Sequence, residues 1–185
     1  ESGIEIPANT SQKLIKTVTL NMETREFETV LSGIQAKVTE TGGYTETSEV
    51  NGSSYYGRGN RSAWLTLRIP ADKLDTFVTT VSGLGNVTSK SESVEDITLQ
   101  YVDTESHKKA LETEQDRLLT LMEQAESMDD IIKIETRLSE IRYELQTYET
   151  TLRTYDNQVS YSTVNIDLYE VDRESAPEKQ SFASE

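Results

Sequence analysis

The chain has 185 residues and a mass of 20.8 kDa, and its 33 acidic residues outnumber its 18 basic residues to give a formal net charge of −15. This length suffices for one domain with a sizeable core, or for two small domains. A sequence pI near 4.5 argues against a nucleic-acid ligand, whose phosphates need a basic surface, and disfavours insertion into an anionic leaflet. The sequence lacks cysteine, which excludes disulfides, thiol catalysis and thiolate metal sites, and it lacks any run of about 18 apolar residues that could span a bilayer.

The first part of the chain alternates predicted strands and helices. Residues 1–12 are polar and lack periodicity, which indicates a linker. Lys13–Met22 is rich in β-branched residues and is predicted to be a strand. Apolar residues at helical spacing then predict an amphipathic helix that begins near Glu23–Thr24 and ends at Gly42–Gly43. Tyr44–Val50 is predicted to be a polar edge strand.

A second strand–helix–strand pattern follows a Gly/Ser-rich turn. Arg61–Ile69 alternates clearly between apolar and polar residues, which indicates a strand. Pro70 opens a predicted helix with an apolar stripe from Leu74 to Val81, and Asn86–Ser93 is predicted to be a weaker strand. Because the order is strand–helix–strand–strand–helix–strand, we predict an α+β fold, a ferredoxin-like split β-α-β sandwich.

The strongest periodic signal lies in the second half of the chain. Leu111, Leu118 and Ala125 repeat every seven residues, and after a break at Ser127–Asp130 the apolar positions from Ile131 to Val159 step alternately by three and four. A sustained 3.5-residue period predicts two helices that supercoil against each other. The short break predicts a long antiparallel coiled-coil hairpin with arms of about 35–45 Å. We expect Ser127 to cap the second arm, with Asp130 beside the helix N-terminus.

After Val159 the period falls to two, which predicts a final strand around Val164, Ile166 and Leu168 that returns to the sheet. The hairpin is therefore predicted to be an insertion before this last strand. The expected organisation is a linker at residues 1–12, an α+β domain formed by residues 13–102 and 159–171, a hairpin at residues 103–158, and a second linker at residues 172–185.

Several segments are similar to a bacterial family that is catalogued as domain of unknown function 4349. They are RIPADKLDTFV at Arg68–Val78, EDITLQYVDTESHKKAL at Glu95–Leu111, and the stretch Arg117–Leu168 with its VSYST return motif. The resemblance covers most of the chain, and it implies an exported protein with a lipoprotein-type N-terminal signal and often a membrane helix after the domain. Because the first residue is Glu1 and not methionine, we expect that the original N-terminus has been removed, and any signal peptide with it. The resemblance implies no catalytic residues, and we predict none.

The residue types and motifs of the sequence give little support for a catalytic site or a metal site. His107 is the only histidine, and no G-x-S-x-G motif is present. We interpret His107 as a solvated helix residue and expect no metal or other cofactor. The carboxylates near the predicted hairpin turn are the types of ligand that bind Ca²⁺, but they lack the spacing of a calcium loop, and their place near a helix N-terminus explains them as well. These carboxylates are Glu123, Glu126, Asp129 and Asp130.

Two surfaces are candidates for binding. Tyr55, Tyr56 and Trp64 lie on or beside the Gly-rich turn, where aromatic rings can stack on a glycan or a peptide. The other surface is the hairpin tip, with Glu126, Met128, Asp129 and Ile132 as the residues predicted to contact a partner.

We therefore expect a non-enzymatic module on the extracytoplasmic face of a bacterial membrane, which uses its hairpin as a protein-interaction, scaffold or sensor element. The expected partner is an envelope or cell-surface protein, and the membrane would be reached only through segments outside this sequence. The alternative is a glycan- or peptide-binding module centred on the Tyr55–Trp64 region. A helical seam of this kind can also pair between chains, so a homo-oligomer stays open.

Overall fold

The computed structural model describes residues 12–53 and 61–175, which form a mixed α+β structure with a five-stranded sheet and four helices. The elements in chain order are β1 (Leu14–Thr24), α1 (Phe27–Glu40), β2 (Tyr44–Asn51), β3 (Ser62–Pro70), a 3₁₀ turn (Ala71–Lys73), α2 (Leu74–Ser82), β4 (Asn86–Asp96), α3 (Thr98–Gln124), α4 (Met128–Ser160) and β5 (Tyr161–Glu170). None of the helices in these two ranges is both long enough and apolar enough to cross a membrane.

The described residues divide into two compact units. The sheet unit consists of Ile15–Glu95 and the chain from Gln158 onward, and the helical unit consists of Asp96–Asn157 and the residues up to Leu14. In the sheet unit the strand order is β2-β3-β5-β1-β4, so the last strand of the described residues returns to the sheet and takes its centre. β5 pairs in parallel with β1 and antiparallel with β3, while β2 pairs antiparallel with β3.

The core of the sheet unit lies between one face of the sheet and the helices α1 and α2. Alternate side chains of β1, β3 and β5 point to this face, as the period of two in a strand requires. They form one apolar cluster with the helical stripes that begin at Phe27 and Leu74. Leu20, Leu67 and Ile166 at the middle of three adjacent strands are completely buried. The predicted apolar stripes are thus confirmed as the surface on which the unit is built.

The predicted start of α1 near Glu23–Thr24 is wrong by three to four residues. Glu23 and Thr24 belong to β1, where they pair with Tyr169 and Glu170 of β5, and α1 begins at Phe27. Parallel pairing with β5 from Thr163 to Glu170 keeps this segment extended, although its own sequence suits a helix N-terminus. The structure likewise begins α3 at Thr98, before the first residue of the heptad pattern, and the hydroxyl and the N–H of Thr98 both donate to the Asp96 carboxylate.

The predicted end of α1 at two glycines is confirmed. Gly42 adopts a left-handed conformation with φ of 77°. The N–H of Gly43 donates to the carbonyl of Val38, five residues earlier, at 3.0 Å, and this hydrogen bond is typical of a helix that ends at a glycine. A Cβ atom on Gly43 would lie 2.6 Å from the carbonyl oxygen of Arg68, so only glycine lets the chain pass this close to β3. The turn therefore fixes where β2 starts against β3.

We predict that Ile166→Ala lowers the free energy of unfolding by about 2–5 kcal/mol, because it opens a cavity at the centre of the sheet. Ile132→Ala removes the same atoms from a side chain that is 57% exposed and should change the free energy by no more than about 0.5 kcal/mol. Urea unfolding followed by circular dichroism measures both values. Equal losses for the two variants would contradict the assignment of β5 to the core.

Candidate functional site

The helical unit consists of two helices that pack antiparallel. Contacts between them move toward the end of α3 as they move toward the start of α4, from Tyr101 with Asp156, through His107 with Tyr148, to Glu114 with Arg137. The apolar seam between the helices is fully buried only in its middle, where Leu111, Ile141 and Leu145 form a cluster with the half-buried Leu118 and Tyr148. The heptad pattern therefore identified the facing side of each helix.

An ion-pair network centred on Arg137 crosses this seam, and Lys108 on α3 pairs with Glu149 on α4 at 3.7 Å. The Arg137 guanidinium donates from Nε and Nη2 to the two carboxylate oxygens of Glu114, at 2.7 and 3.0 Å. It also donates to Glu140 and Glu144 on its own helix. The hydrogen bond from Arg137 lowers the pKa of Glu114 below its ordinary value of 4.5, and the same carboxylates raise the pKa of Arg137. These two parallel hydrogen bonds between Arg137 and Glu114 fix the register of the two helices at this point along the seam.

The opposite end of the helical unit carries a second polar cluster. The Tyr101 hydroxyl donates to the Asp156 carboxylate at 2.8 Å, and the Lys13 ammonium lies 4.4 Å from the centre of the Tyr101 ring. Burial first, and then the hydrogen bond to Asp156, raise the pKa of Tyr101 to about 12. The N–H of Lys13 donates to the Thr98 hydroxyl, and the N–H of Ile97 donates to the Lys13 carbonyl. This cluster holds the start of α3.

The hairpin tip has the predicted cap and exposes the predicted residues. Ser127 accepts a hydrogen bond from the N–H of Asp130 at 3.1 Å and donates its hydroxyl to the Asp130 carboxylate at 2.7 Å, which confirms the capping interpretation. Met128 is 69% exposed and Ile132 is 57% exposed. Because they are four residues apart on α4, their side chains are neighbours on one helix face. Glu126 and Asp129 beside them are exposed as well.

Sequence reasoning missed two more apolar side chains near the tip. Leu119 is 48% exposed and Leu121 is 46% exposed, although both lie in α3 beside the half-buried seam positions Leu118 and Met122. The heptad pattern carried a signal for them, because leucines outside the seam positions of a two-helix hairpin have no partner helix to cover them. Leu119 and Leu121 are two residues apart, about 200° around the helix, so they lie on opposite sides of the seam. We define the tip patch as Met128 and Ile132.

The second candidate surface lies in the sheet unit, on the sheet face that points away from the core. Cross-strand pairing aligns side chains in rows on this outer sheet face, and one row contains Glu49, Trp64, Asp167 and Asn21. Trp64 is 49% exposed, and Tyr169, which lies diagonally across from it, is 43% exposed. The outer sheet face thus presents an exposed tryptophan between two carboxylates.

The sequence predicted two further aromatic residues on this surface. Tyr55 and Tyr56 lie outside the described residues. Tyr44 and Tyr161 stack edge to face near one end of the outer sheet face, with ring centres 5.6 Å apart, and sequence reasoning did not single them out. Between them and Trp64, the buried Arg68 donates to the Thr163 hydroxyl. Only the pairing of strands that are distant in the sequence could have revealed this arrangement.

His107 is placed where a structural role explains it. Its ring stacks on Tyr148 with centres 5.7 Å apart, and its Nε2 lies 3.6 Å from the Asp103 carboxylate one helical turn earlier. Within residues 12–53 and 61–175, no three carboxylate or imidazole side chains are grouped as metal ligands would be.

We predict that the burial of Tyr101, together with its hydrogen bond to Asp156, makes the stability of the helical unit fall at high pH. The pKa of Tyr101 is raised in the folded chain, so this contribution is complete below pH 10.0 and is lost as the pH rises to about 12. Tyr101→Phe should remove this dependence and the late step in the ultraviolet titration of the tyrosines. Tyr143→Phe, at a side chain that is 75% exposed, serves as the control and should keep both. A titration that ends at the ordinary tyrosine range in the wild-type chain would contradict the contact.

Comparison with known proteins gives one match. A family model described as "Domain of unknown function (DUF4349)" matches residues 12–185. No curated protein and no solved structure matches the chain. Since the matched region includes the sheet unit and the helical unit together, the chain belongs to the DUF4349 family.

Proposed function

We propose that this chain is a non-enzymatic extracytoplasmic domain of a membrane-anchored bacterial protein, and that its helical hairpin binds a partner protein of the cell envelope through the tip patch. The observation that carries the proposal is the exposure of Met128 and Ile132, two large apolar side chains that are neighbours on one face of α4 beside the turn of the hairpin, at 69% and 57%. Single exposed apolar residues are ordinary on a protein surface, but a group of them bordered by charged residues is typical of an interaction site.

The surroundings of the tip patch support a protein partner. Glu123, Glu126, Asp129 and Asp130 border it and are exposed. An apolar centre with a charged rim can bury its aliphatic side chains while the rim selects a partner of opposite charge. The adjacent seam positions are half-buried, so the hairpin already uses its inner face and has only its outer sides and turn to offer. A scaffold or sensor role follows from such a contact.

The location and the absence of catalysis rest on other grounds. The anchored, extracytoplasmic location is supported by the resemblance of the chain to exported proteins with membrane signals on both sides of this domain. The non-enzymatic role is supported by the surroundings of His107, whose ring meets Tyr148 and Asp103 and no serine hydroxyl among the described residues. A histidine without a nucleophile beside it cannot act as the base of an acyl-transfer site.

We also propose the finer fold. Each of the connections β1–α1–β2 and β3–α2–β4 joins strands that are not neighbours, which supports a sandwich of the ferredoxin-like type with β5 added between β1 and β3. The seam cluster and the Arg137–Glu114 pair support an antiparallel coiled coil for α3 and α4.

The tip patch can be tested by substitution. Met128→Asp together with Ile132→Asp should abolish recovery of the partner from envelope extracts of the source bacterium, because it places charges where apolar contact is expected. Tyr143→Asp adds the same charge to an exposed position of α4 outside the tip patch and should leave recovery unchanged. Circular dichroism verifies that each variant keeps its helix content.

A photo-crosslinking residue locates the contact directly. Placed at position 132, it should give an adduct with the partner, whereas at position 143 it should give none. Equal recovery of the partner by the wild-type chain and by the Met128/Ile132 variant would reject the tip as the binding surface. Recovery by a variant without residues 103–158 would reject the hairpin as a whole.

A second candidate function is favoured by the exposure of Trp64. This ring lies on the outer sheet face next to Glu49 and Asp167, with Tyr169 diagonal to it, and an aromatic platform beside hydrogen-bonding carboxylates suits a glycan or an extended peptide. The alternative role is therefore a glycan- or peptide-binding module in the region of Tyr55 to Trp64.

Trp64 is the only tryptophan, so its fluorescence reports on this surface without interference. If the alternative holds, titration with cell-wall fragments should shift the emission, and Tyr169→Ala should weaken the apparent affinity at least about threefold by removing a neighbouring ring. Tyr143→Ala, in the helical unit, is the matched control and should leave the titration unchanged. A flat response across glycans and peptides would exclude this role.

A further inference from the structure

The two edges of the sheet differ in a way that points to self-association. β2 and β4 are the outermost strands in the described part of the chain. β2 carries a register irregularity between Thr45 and Thr47 and contains only acidic charges, Glu46 and Glu49. A bulge and like charges are devices that keep an edge strand from pairing with another chain.

β4 differs from β2 in its length and in the pattern of its charges, which are Lys90, Glu92, Glu95 and Asp96. It has 11 residues, against about 5–6 for a typical strand, and every side chain from Thr88 to Asp96 is exposed. It carries both signs of charge, and Lys90 and Glu92 form an ion pair at 2.6 Å. Because this pair joins residues two apart, both side chains lie on the same face of the strand. An extended edge of this kind can accept a further strand.

We propose that β4 is a dimerisation edge at which two copies of this chain pair antiparallel, with Ser91 opposite Ser91 of the partner subunit. In this register Lys90 lies opposite Glu92 of the partner subunit, and the reciprocal pair forms by symmetry. Each ammonium then has one carboxylate beside it on its own strand and one across the interface. The four charges alternate, and such a network is worth more than an isolated surface pair.

The charge pattern selects this register over its neighbours. A symmetric antiparallel pair places one residue opposite itself, so centring on Lys90 or on Glu92 would bring like charges together. Centring on Ser89 would leave Lys90 opposite Thr88 and Glu92 without a cation. Centring on Ser93 would place Lys90 opposite Asp96, whose carboxylate already accepts two hydrogen bonds from Thr98.

The remaining side chains of β4 fit the same register. Ser89 would lie opposite Ser93 of the partner subunit, a pair of hydroxyls that can hydrogen-bond across strands. Val94 is 60% exposed in the single chain, and in the dimer it would lie opposite the methyl group of Thr88. The dimer would carry two hairpins and so two tip patches, which increases the avidity for an envelope partner. The pairing itself does not depend on the proposed function.

Sedimentation equilibrium of the full chain over a range of concentrations tests the proposal. The wild-type chain should dimerise with increasing concentration, and Lys90→Glu or Glu92→Lys alone should raise the dissociation constant by about tenfold or more, because each places like charges opposite each other twice. The double variant Lys90→Glu/Glu92→Lys should restore dimerisation, since it exchanges the members of each pair. Lys37→Glu, which reverses a lysine in an ion pair on α1, is the matched control and should have no effect.

Cysteine crosslinking determines the register, because the natural sequence contains no cysteine. Opposite residues in an antiparallel pair have Cα atoms about 4.5–5.5 Å apart, which a disulfide can bridge. Ser91→Cys should give a covalent dimer on oxidation, whereas Ser93→Cys and Ser48→Cys on β2 should not. A wild-type chain that stays monomeric at all concentrations, a failure of the double variant to restore pairing, or preferential crosslinking at Ser93 or Ser48 would each overturn the proposal.

Discussion

The structure depends on the pairing of β5 between β1 and β3. This strand is the last element of the chain that the structure describes, yet it occupies the centre of the sheet, and its apolar side chains Val164, Ile166 and Leu168 are completely buried. The sheet unit therefore has no continuous core until the chain has passed through α3 and α4. Such long-range pairing raises the contact order of the fold. It also means that the helical hairpin is tied into the sheet unit by both of its ends, through β4 on one side and β5 on the other.

The helical hairpin divides its apolar side chains between two tasks. Those in the middle of the seam are buried and join the helices, with the Arg137–Glu114 pair fixing their level. Those in the tip patch gain nothing from the packing of one chain. Burial of a large aliphatic side chain contributes about 1.5–3 kcal/mol. An apolar side chain that stays exposed in the single chain can therefore still contribute this free energy when it is buried against a partner. This division makes the tip a better candidate for recognition than the seam.

The acidic composition of the chain acts through particular pairs and not as a uniform field. Two cations lie at positions that fix geometry: Arg137 lies between the helices, and Arg61 lies at the end of the sheet, where it pairs with the buried Glu170 and lies over the ring of Phe27. Lys90 differs, because its ion pair with Glu92 lies on an exposed strand edge and fixes nothing within the chain. The charged side chains of β4 therefore stay available for contacts with another chain, as the apolar side chains of the tip patch do.

The amino-acid sequence by itself determined the local elements: the alternation around Ile166, the stripe from Leu74, the heptads of α3 and α4, the cap at Ser127 and the glycine stop at Gly42–Gly43. These follow from the periods of strand and helix and from the chemistry of a few residues, all within reach of a short window. Only the tertiary structure decided that Glu23 and Thr24 belong to a strand, and that β5 lies at the centre of the sheet and β4 at its edge. It also decided that Trp64 is flanked by Glu49 and Asp167. Those features arise from pairings between strands far apart in the chain, whose order is selected by the total apolar surface they bury together and not by any one segment.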